Sequence, residues 1–307
     1  MNGNTHRFTL DASQGHFLPP TLQQPSNLQA LIKSGKIAIG TALSIPSVHV
    51  AKIVATTGAD WCWLDAEHVA WSPALLVECI QIIIHESAGK MIPVVRVPSK
   101  TTQSSYDYFV LAYMEPQAWC LDAGAGGIIV PHMETVEEMK AVIAACRFPP
   151  IGHRSFPPFS FIPGVTDITP EGESVFSIAN KHTVIVPQIE SRVGMQNLDA
   201  ILSMSEISAF MLGLGDLRLD MGLPLAMNGD EPEFVEALRK ATKLSKAHDI
   251  PLLGGGLGKD MVKQRVDEGY RLIVCGFDLH ALAFGTRTTL AEAREIVEER
   301  MQSLHSA

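Results

Sequence analysis

The sequence predicts an α/β fold, a single (β/α)8 TIM barrel, and three observations lead there. Eight short apolar, β-branched segments alternate with helical patterns along the chain. The 307 residues suffice for one barrel of about 250 residues plus tails. Polar residues collect where the predicted strands end, and parallel α/β proteins place their chemistry at the carboxyl ends of strands.

The elements follow in order. Lys36 to Ser44 reads as a first strand, and a helix opened by Ser44 or Pro46 runs to Gly58. Asp60 to Asp65 is a second strand, followed by a polar loop with Glu67 and His68. Ser72-Pro73 opens a long apolar helix through Ser87, the proline being tolerated in a first turn. Met91 to Val97 is a third strand with Arg96 at its end, and Gly127 to Pro131 is a fourth. Thr135 to Cys146 is an amphipathic helix with acidic residues in its first turn. Phe148 to Thr183, rich in proline, glycine and serine, reads mostly as loop, and connections of that length are usually functional.

The stretch from Thr183 to Gly222 forms a βαβ unit. Val184 to Pro187 is the fifth strand, Asn197 to Ser203 a short helix and Ala209 to Leu212 the sixth strand. Glu190 and Asp216 stand at the ends of these two strands. A carboxylate pair so placed suits a divalent metal, which prefers oxygen ligands, although the same spacing fits Glu190 as a helix cap and Asp216 as a turn residue. A helix from Glu231 to His248, a strand at Pro251 to Leu253, a helix from Lys259 to Glu268, a strand at Arg271 to Gly276 and a helix from about Leu279 to Gln302 complete the pattern.

Composition narrows the class further. A net charge of −9 without a Lys/Arg cluster argues against nucleic acid or an anionic membrane as partner. No apolar run reaches the roughly 20 residues of a membrane span. The first 27 residues lack the apolar core of a signal peptide and read as a flexible arm before a single domain, residues 28–307. Five scattered cysteines without CxxC spacing predict free thiols in a reducing compartment, hence a cytoplasmic protein.

In a barrel, Asp65, Glu67 and His68, then Arg96, then Gln188 and Glu190, then Gly215 and Asp216 converge on one cavity. Two carboxylates suit a metal, a guanidinium suits a carboxylate or developing oxyanion, and Asp65 three residues before His68 is placed to orient its imidazole. Taken alone, each has an ordinary structural reading: a loop histidine is more often a surface residue and an arginine an ion-pair partner. Joint placement at strand ends favours a site.

These residues resemble the HpcH/HpaI aldolases, metal-dependent pyruvate aldolases related to macrophomate synthase and the citrate lyase β subunit. The matching stretches are DWCWLDAEH (60–68), PVVRVP (93–98), residues 121–155, VPQIESRVGMQNLDAIL (186–202) and GLGDLRLDMG (213–222). The resemblance implies a barrel of the phosphoenolpyruvate/pyruvate-binding type. By position it places the metal on Glu190 and Asp216, the catalytic histidine on His68 with Asp65 as its partner, and the oxyanion arginine on Arg96. Gln188 matches a glutamine of the keto-acid pocket, and the amides of Gly215 and Asp216 match those that bind the pyruvate carboxylate. The implied cofactor is Mg²⁺ or Mn²⁺, with Co²⁺ a further candidate, and no lysine Schiff base is required.

The implied reaction is cleavage or formation of a 4-hydroxy-2-oxo acid through a pyruvate enolate, with a 2-oxo acid and an aldehyde as small-molecule partners. Two alternatives stand beside it: an oxaloacetate-decarboxylating enzyme of the macrophomate synthase kind, and a catalytically disabled keto-acid-binding homologue. The resemblance also implies a homo-oligomer, trimer or hexamer, built from dimers with swapped terminal helices. Three departures from the family pattern stand out. Leu214 replaces a usual proline, Ser155 a usual glycine, and an insertion falls around SYDYFVLAYMEP (105–116). The insertion reads as a lid, an oligomer contact or a translated intron, and it bears on the placement of Arg96.

Overall fold

The computed structural model describes residues 27–99, 119–156 and 169–306, so the first 26 residues and the insertion at 105–116 lie outside the described residues. Eight parallel strands close into a barrel in chain order: β1 (Ala38–Leu43), β2 (Trp61–Asp65), β3 (Ile92–Arg96), β4 (Gly127–Val130), β5 (Val184–Ile189), β6 (Phe210–Leu212), β7 (Leu252–Gly255) and β8 (Tyr270–Phe277). β8 pairs with β1, which closes the ring. The predicted barrel and its eight strands are therefore present.

Alternation along each strand divides the apolar residues into two cores. Trp61, Trp63, Ile92, Val94, Val184, Val186, Leu272 and Val274 fill the barrel interior. Cys62, Leu64, Val95, Ile128, Ile185, Phe210 and Ile273 point outward into a second core beneath the helices. Strands buried on both faces must be apolar at every position, which is why they read as continuous hydrophobic runs.

The outer layer comprises α1 (Leu28–Lys33), α2 (Val48–Ala55), α3 (Pro73–Glu86), α4 (Val136–Cys146), α5 (Val175–His182), α6 (Arg192–Leu202), α7 (Leu214–Asp220), α8 (Pro232–His248), α9 (Gly258–Asp267) and α10 (Asp278–His305). Several start at side-chain caps. Ser72 caps α3 with proline behind it, and Thr135 and Glu138 form a reciprocal capping box on α4.

α1 precedes the first element expected from sequence, and three further helices differ from that expectation. The segment read as loop from Phe148 to Thr183 contains α5, started by a Ser174/Ser177 capping box. The short helix placed at Asn197 begins earlier, at Arg192, because Ser191 caps it by accepting the Gly194 N–H. Gly194 argues against a helix by propensity, yet a Cβ there would meet Met133 O at 2.7 Å, so glycine permits α6 to lie close to the neighbouring loop. The residues after β6 form α7 instead of an open loop.

α10 stands apart: none of its 28 residues is buried. Its N-terminus is tied to the barrel by Asp278, which accepts the backbone N–H groups of Ser44 and Ile45 at 2.8 and 2.7 Å. Leu282, Phe284, Ile296, Val297 and Leu304 are all at least 60 % exposed. Among the described residues no helix is long and apolar enough to cross a membrane.

Gly40 gives a direct test of interior packing. A Cβ at this position would lie 2.4 Å from Cε2 of the fully buried Trp61. Gly40→Ala is expected to destabilise the barrel by about 1–3 kcal/mol in urea unfolding, the usual penalty for overpacking. An unchanged midpoint would show that Trp61 has room to turn away.

Candidate active site

The interior parity of β2, β3 and β5 continues past their last apolar residues and places Asp65, Arg96, Gln188 and Glu190 in the layer above Trp63, Val94 and Val186. Asp65 and Arg96 are register partners on neighbouring strands. Arg96 donates from Nε to Asp65 Oδ1 at 2.9 Å and from Nη2 to Oδ2 at 2.7 Å, a two-pronged contact that fixes the guanidinium plane. Its Nη1 lies 3.1 Å from Glu67 Oε2, and its carbon sits 4.6 Å over the Trp63 ring. Only 9 % of Arg96 is exposed. Burial works against the Asp65 charge, but the Arg96 hydrogen bonds and charge prevail and hold this carboxyl below its ordinary range.

Glu190 follows β5 and is 4 % exposed. It accepts the backbone N–H of His132 at 2.7 Å and a hydrogen bond from Gln188 Nε2. His132 presents that N–H from a left-handed backbone, φ 53°, just after β4. Gly213 makes room on the other side, since a Cβ there would lie 2.1 Å from Glu190 Oε2. Burial pushes the Glu190 carboxyl up to about 7, the Gln188 hydrogen bond opposes this, and the charges of Glu67 and Asp216 add to it. Glu67 is likewise raised to about 7 by burial, against Arg96 and with Asp65 and Asp216.

Asp216 lies in the first turn of α7, where the amides of Leu214, Gly215 and Asp216 have no carbonyl one turn earlier to bond. Gly215, Asp216, Gln188 and Arg96 line one cavity of ≈ 340 Å³. His68 lines a neighbouring cavity of ≈ 460 Å³ with Glu67 and Trp71.

The Asp65–His68 couple expected from spacing is not formed. Both Asp65 oxygens are taken by Arg96, and Oδ1 also accepts the Glu67 N–H at 3.1 Å. That turn directs Glu67 inward and His68 outward: the His68 side chain is 61 % exposed and its Nε2 stands 3.4 Å from Glu67 Oε2. Trp71 anchors the loop by donating its indole N–H to Asp65 O at 2.7 Å.

Among the described residues no three or more His, Cys, Asp or Glu side chains gather into a ready-made metal cage. Glu190 and Asp216 nevertheless fit a hard divalent cation. Glu190 is buried, and the negative charges of Glu67 and Asp216 act on it without a positive charge among the described residues to offset them. Ions such as Mg²⁺ are held by one or two carboxylates, with the remaining positions left to water or substrate oxygens.

Comparison with known proteins gives this geometry a context. Residues 43–284 match the family model described as HpcH/HpaI aldolase/citrate lyase. The chain belongs to this family.

The solved structure of a macrophomate synthase is 34 % identical, superposes with a TM-score of 0.81, and is matched over 97 % of this chain and 99 % of its own. A 4-hydroxy-2-oxovalerate aldolase of Novosphingobium aromaticivorans is 29 % identical, covering 89 % of this chain and 97 % of the relative. A hydroxypyruvate/pyruvate aldolase of Roseobacter denitrificans is 27 % identical over 87 % and 97 %.

Two departures from the HpcH/HpaI pattern can be placed. Leu214 occupies the first position of α7, where a proline would lose no hydrogen bond and leucine keeps a free N–H. Ser155 is exposed beside the buried Arg154, which pairs with Asp122. Sequence reasoning undervalued Glu67, whose signal was its place two residues past a strand end. It missed His132 and Gly213, whose contributions are a backbone N–H and an absent side chain.

Removing Asp65 while keeping Arg96 leaves a buried guanidinium with Glu67 alone. Asp65→Ala is expected to cost about 3 kcal/mol in urea unfolding. Replacing both partners, as in Asp65→Leu with Arg96→Met, is expected to cost less than the single change, and an equal or larger cost would show that the uncompensated Arg96 charge is not what the single change exposes.

Proposed function

We propose that this HpcH/HpaI protein is a metal-dependent carbon–carbon lyase that makes or cleaves a 4-hydroxy-2-oxo acid through a pyruvate enolate. The observation that carries the reading is the convergence on one cavity of a clamped guanidinium, Asp216, the first-turn amides beside it and Gln188, which is bonded to the buried Glu190. Glu190 and Asp216 would hold the cation, Mg²⁺ or Mn²⁺ with Co²⁺ a further candidate, and it would supply Lewis acidity toward the keto oxygen.

The chain's own groups supply the remainder. The N–H groups of Gly215 and Asp216 receive the substrate carboxylate. Gln188, fixed by its bond to Glu190, lines the keto-acid end. Arg96 has given two of its five N–H groups to Asp65 and turns Nη1 toward Glu67, and the N–H groups still unshared can meet the developing enolate oxygen. His68, beside Glu67 and open to solvent, carries the proton, with water bridging to C3. Asp65 acts through Arg96, whose orientation it sets.

The likeness to macrophomate synthase favours a second reading, in which oxaloacetate is decarboxylated and the enolate adds to another acceptor. Product analysis on oxaloacetate separates the two. A disabled keto-acid binder would bind pyruvate without exchanging its protons. The five free cysteines support a reducing, cytoplasmic setting.

The exposed helix α10 supports assembly with further copies as trimer or hexamer. Leu290, Val297 and Leu304 recur every seventh residue along it, the spacing of a helix packed on a neighbour.

Proton exchange of the pyruvate methyl group in D₂O, followed by NMR, tests the enolate reading without knowledge of the aldehyde. Exchange is expected with Mg²⁺ or Mn²⁺, lost with EDTA, and at least about 100-fold slower in His68→Ala, the low end of a general-base contribution. Exchange that persists without metal would overturn it. Light scattering tests assembly: Leu290→Glu with Val297→Glu is expected to reduce the mass to smaller species, and an unchanged monomeric mass in the unaltered protein would refute the oligomer.

A further inference from the structure

The two carboxylates assigned above to a divalent cation stand on different elements. Glu190 follows β5, and Asp216 lies in the first turn of α7. Their separation therefore depends on how α7 is held against β5 and α6. At its start α7 is tied to β5, because the Gly213 N–H donates to Ile189 O at 3.0 Å. That start has no side-chain cap, and a helix of seven residues has little stability of its own. The buried Arg218 of α7 donates to both Glu231 oxygens at 2.6 Å and to Pro224 O at 2.9 Å, which ties the helix to the loop that follows it.

Arg192 fastens the far end. It lies two residues past Glu190, at the start of α6, and its backbone N–H donates to Asp220 Oδ2 at 2.7 Å. Its Nη1 donates to Asp220 O and its Nη2 to Met221 O at 3.1 Å, so the guanidinium meets carbonyls that the end of a helix leaves without intrahelical partners. Nε and Nη2 also reach Glu233 on α8, at 2.7 and 3.0 Å. Asp220 follows Asp216 by four residues, one turn along the same face of α7. The contact joins the segment that carries Glu190 to the helix that carries Asp216. Stability accounts for little of it: the Arg192 and Glu233 side chains are 43 % and 52 % exposed, and pairs so open to water contribute little to folding.

From this geometry we infer that Arg192 and Asp220 are positioning residues, which fix Asp216 relative to Glu190 and so set the affinity of that pair for a divalent cation. The inference rests on the metal assignment proposed above, and it is read from binding without turnover. Charge and positioning predict opposite signs at Arg192. Removing a positive charge two residues from Glu190 favours a cation. Loosening α7 disfavours it, and the partners that orient metal ligands are typically worth about 10–100-fold in affinity.

Mn²⁺ binding to the full chain is followed by the EPR signal of the free ion, and the site measured is the one lost in Glu190→Gln. Arg192→Ala is expected to weaken Mn²⁺ at least about tenfold, and Asp220→Ala to do the same. Asp220→Asn loses the same charge but keeps an oxygen for the Arg192 N–H, and it is expected to retain most of the affinity. Arg271→Ala, which opens a pair with Asp249 at the start of β8, is expected to leave binding unchanged. Mn²⁺ held as tightly or more tightly by a folded Arg192→Ala protein overturns the inference and leaves the metal assignment standing. Equal weakening by Asp220→Asn and Asp220→Ala does likewise. Mn²⁺ binding that is absent from the unaltered protein, or indifferent to Glu190→Gln, overturns the metal assignment and the inference together.

Discussion

The mouth of the barrel is organised around one buried guanidinium. Arg96 points into the interior because strand parity sends it there, and a charge in that position must be compensated where it stands. Asp65, its register partner, meets it with two oxygens, Trp63 offers its ring face from the layer below, and Glu67 closes on the third side. Glu67 in turn adds to the negative field at Glu190, as Asp216 does, so the site is electrostatically polarised: a neutralised cation on one flank and a carboxylate cluster in want of positive charge on the other. A divalent cation held by Glu190 and Asp216, as proposed, would offset that imbalance.

Much of this was legible in the sequence because a parallel barrel imposes a simple rule. Both faces of each strand are covered, so apolar runs mark the strands, and the first polar residues with inward parity mark the site. Asp65, Arg96, Gln188 and Glu190 all obey it. The Asp65–His68 couple failed for a related reason. Strand geometry stops at Asp65, and the loop beyond is governed by its own hydrogen bonds, chiefly the Glu67 N–H to Asp65, which reverse the directions that spacing suggests. The short helices α5 and α7 were hidden for another reason: few residues supply little periodicity, and α7 has no side-chain cap to announce it. His132 and Gly213 act through backbone and through absence, which composition does not record.

α10 raises a different kind of constraint. A (β/α)8 barrel expects a helix after β8 to return over β8 and β1, yet α10 is joined to that wall at its start by Asp278 and buries nothing further along. A helix of 28 residues with a repeating apolar stripe is costly to hold in water, because helical stability in proteins comes mainly from packing an apolar face. The proposed assembly with another copy would cover this stripe.

Division of labour within the cavity follows from where its walls originate. One part of the lining is built by β2, β3, β5 and the start of α7, whose positions are fixed by ladder registers and buried ion pairs. Apolar side chains after β6 and β7, among them the largely exposed Leu225 and Met227 beside Gly215, complete the lining. Activating a keto acid demands fixed geometry, since displaced donors no longer meet the charge that develops. Accepting a second reactant demands only shape and the absence of unpaired charge, which loops can change without disturbing the barrel. The strand-built part of this cavity is therefore where fixed geometry for a keto acid is available.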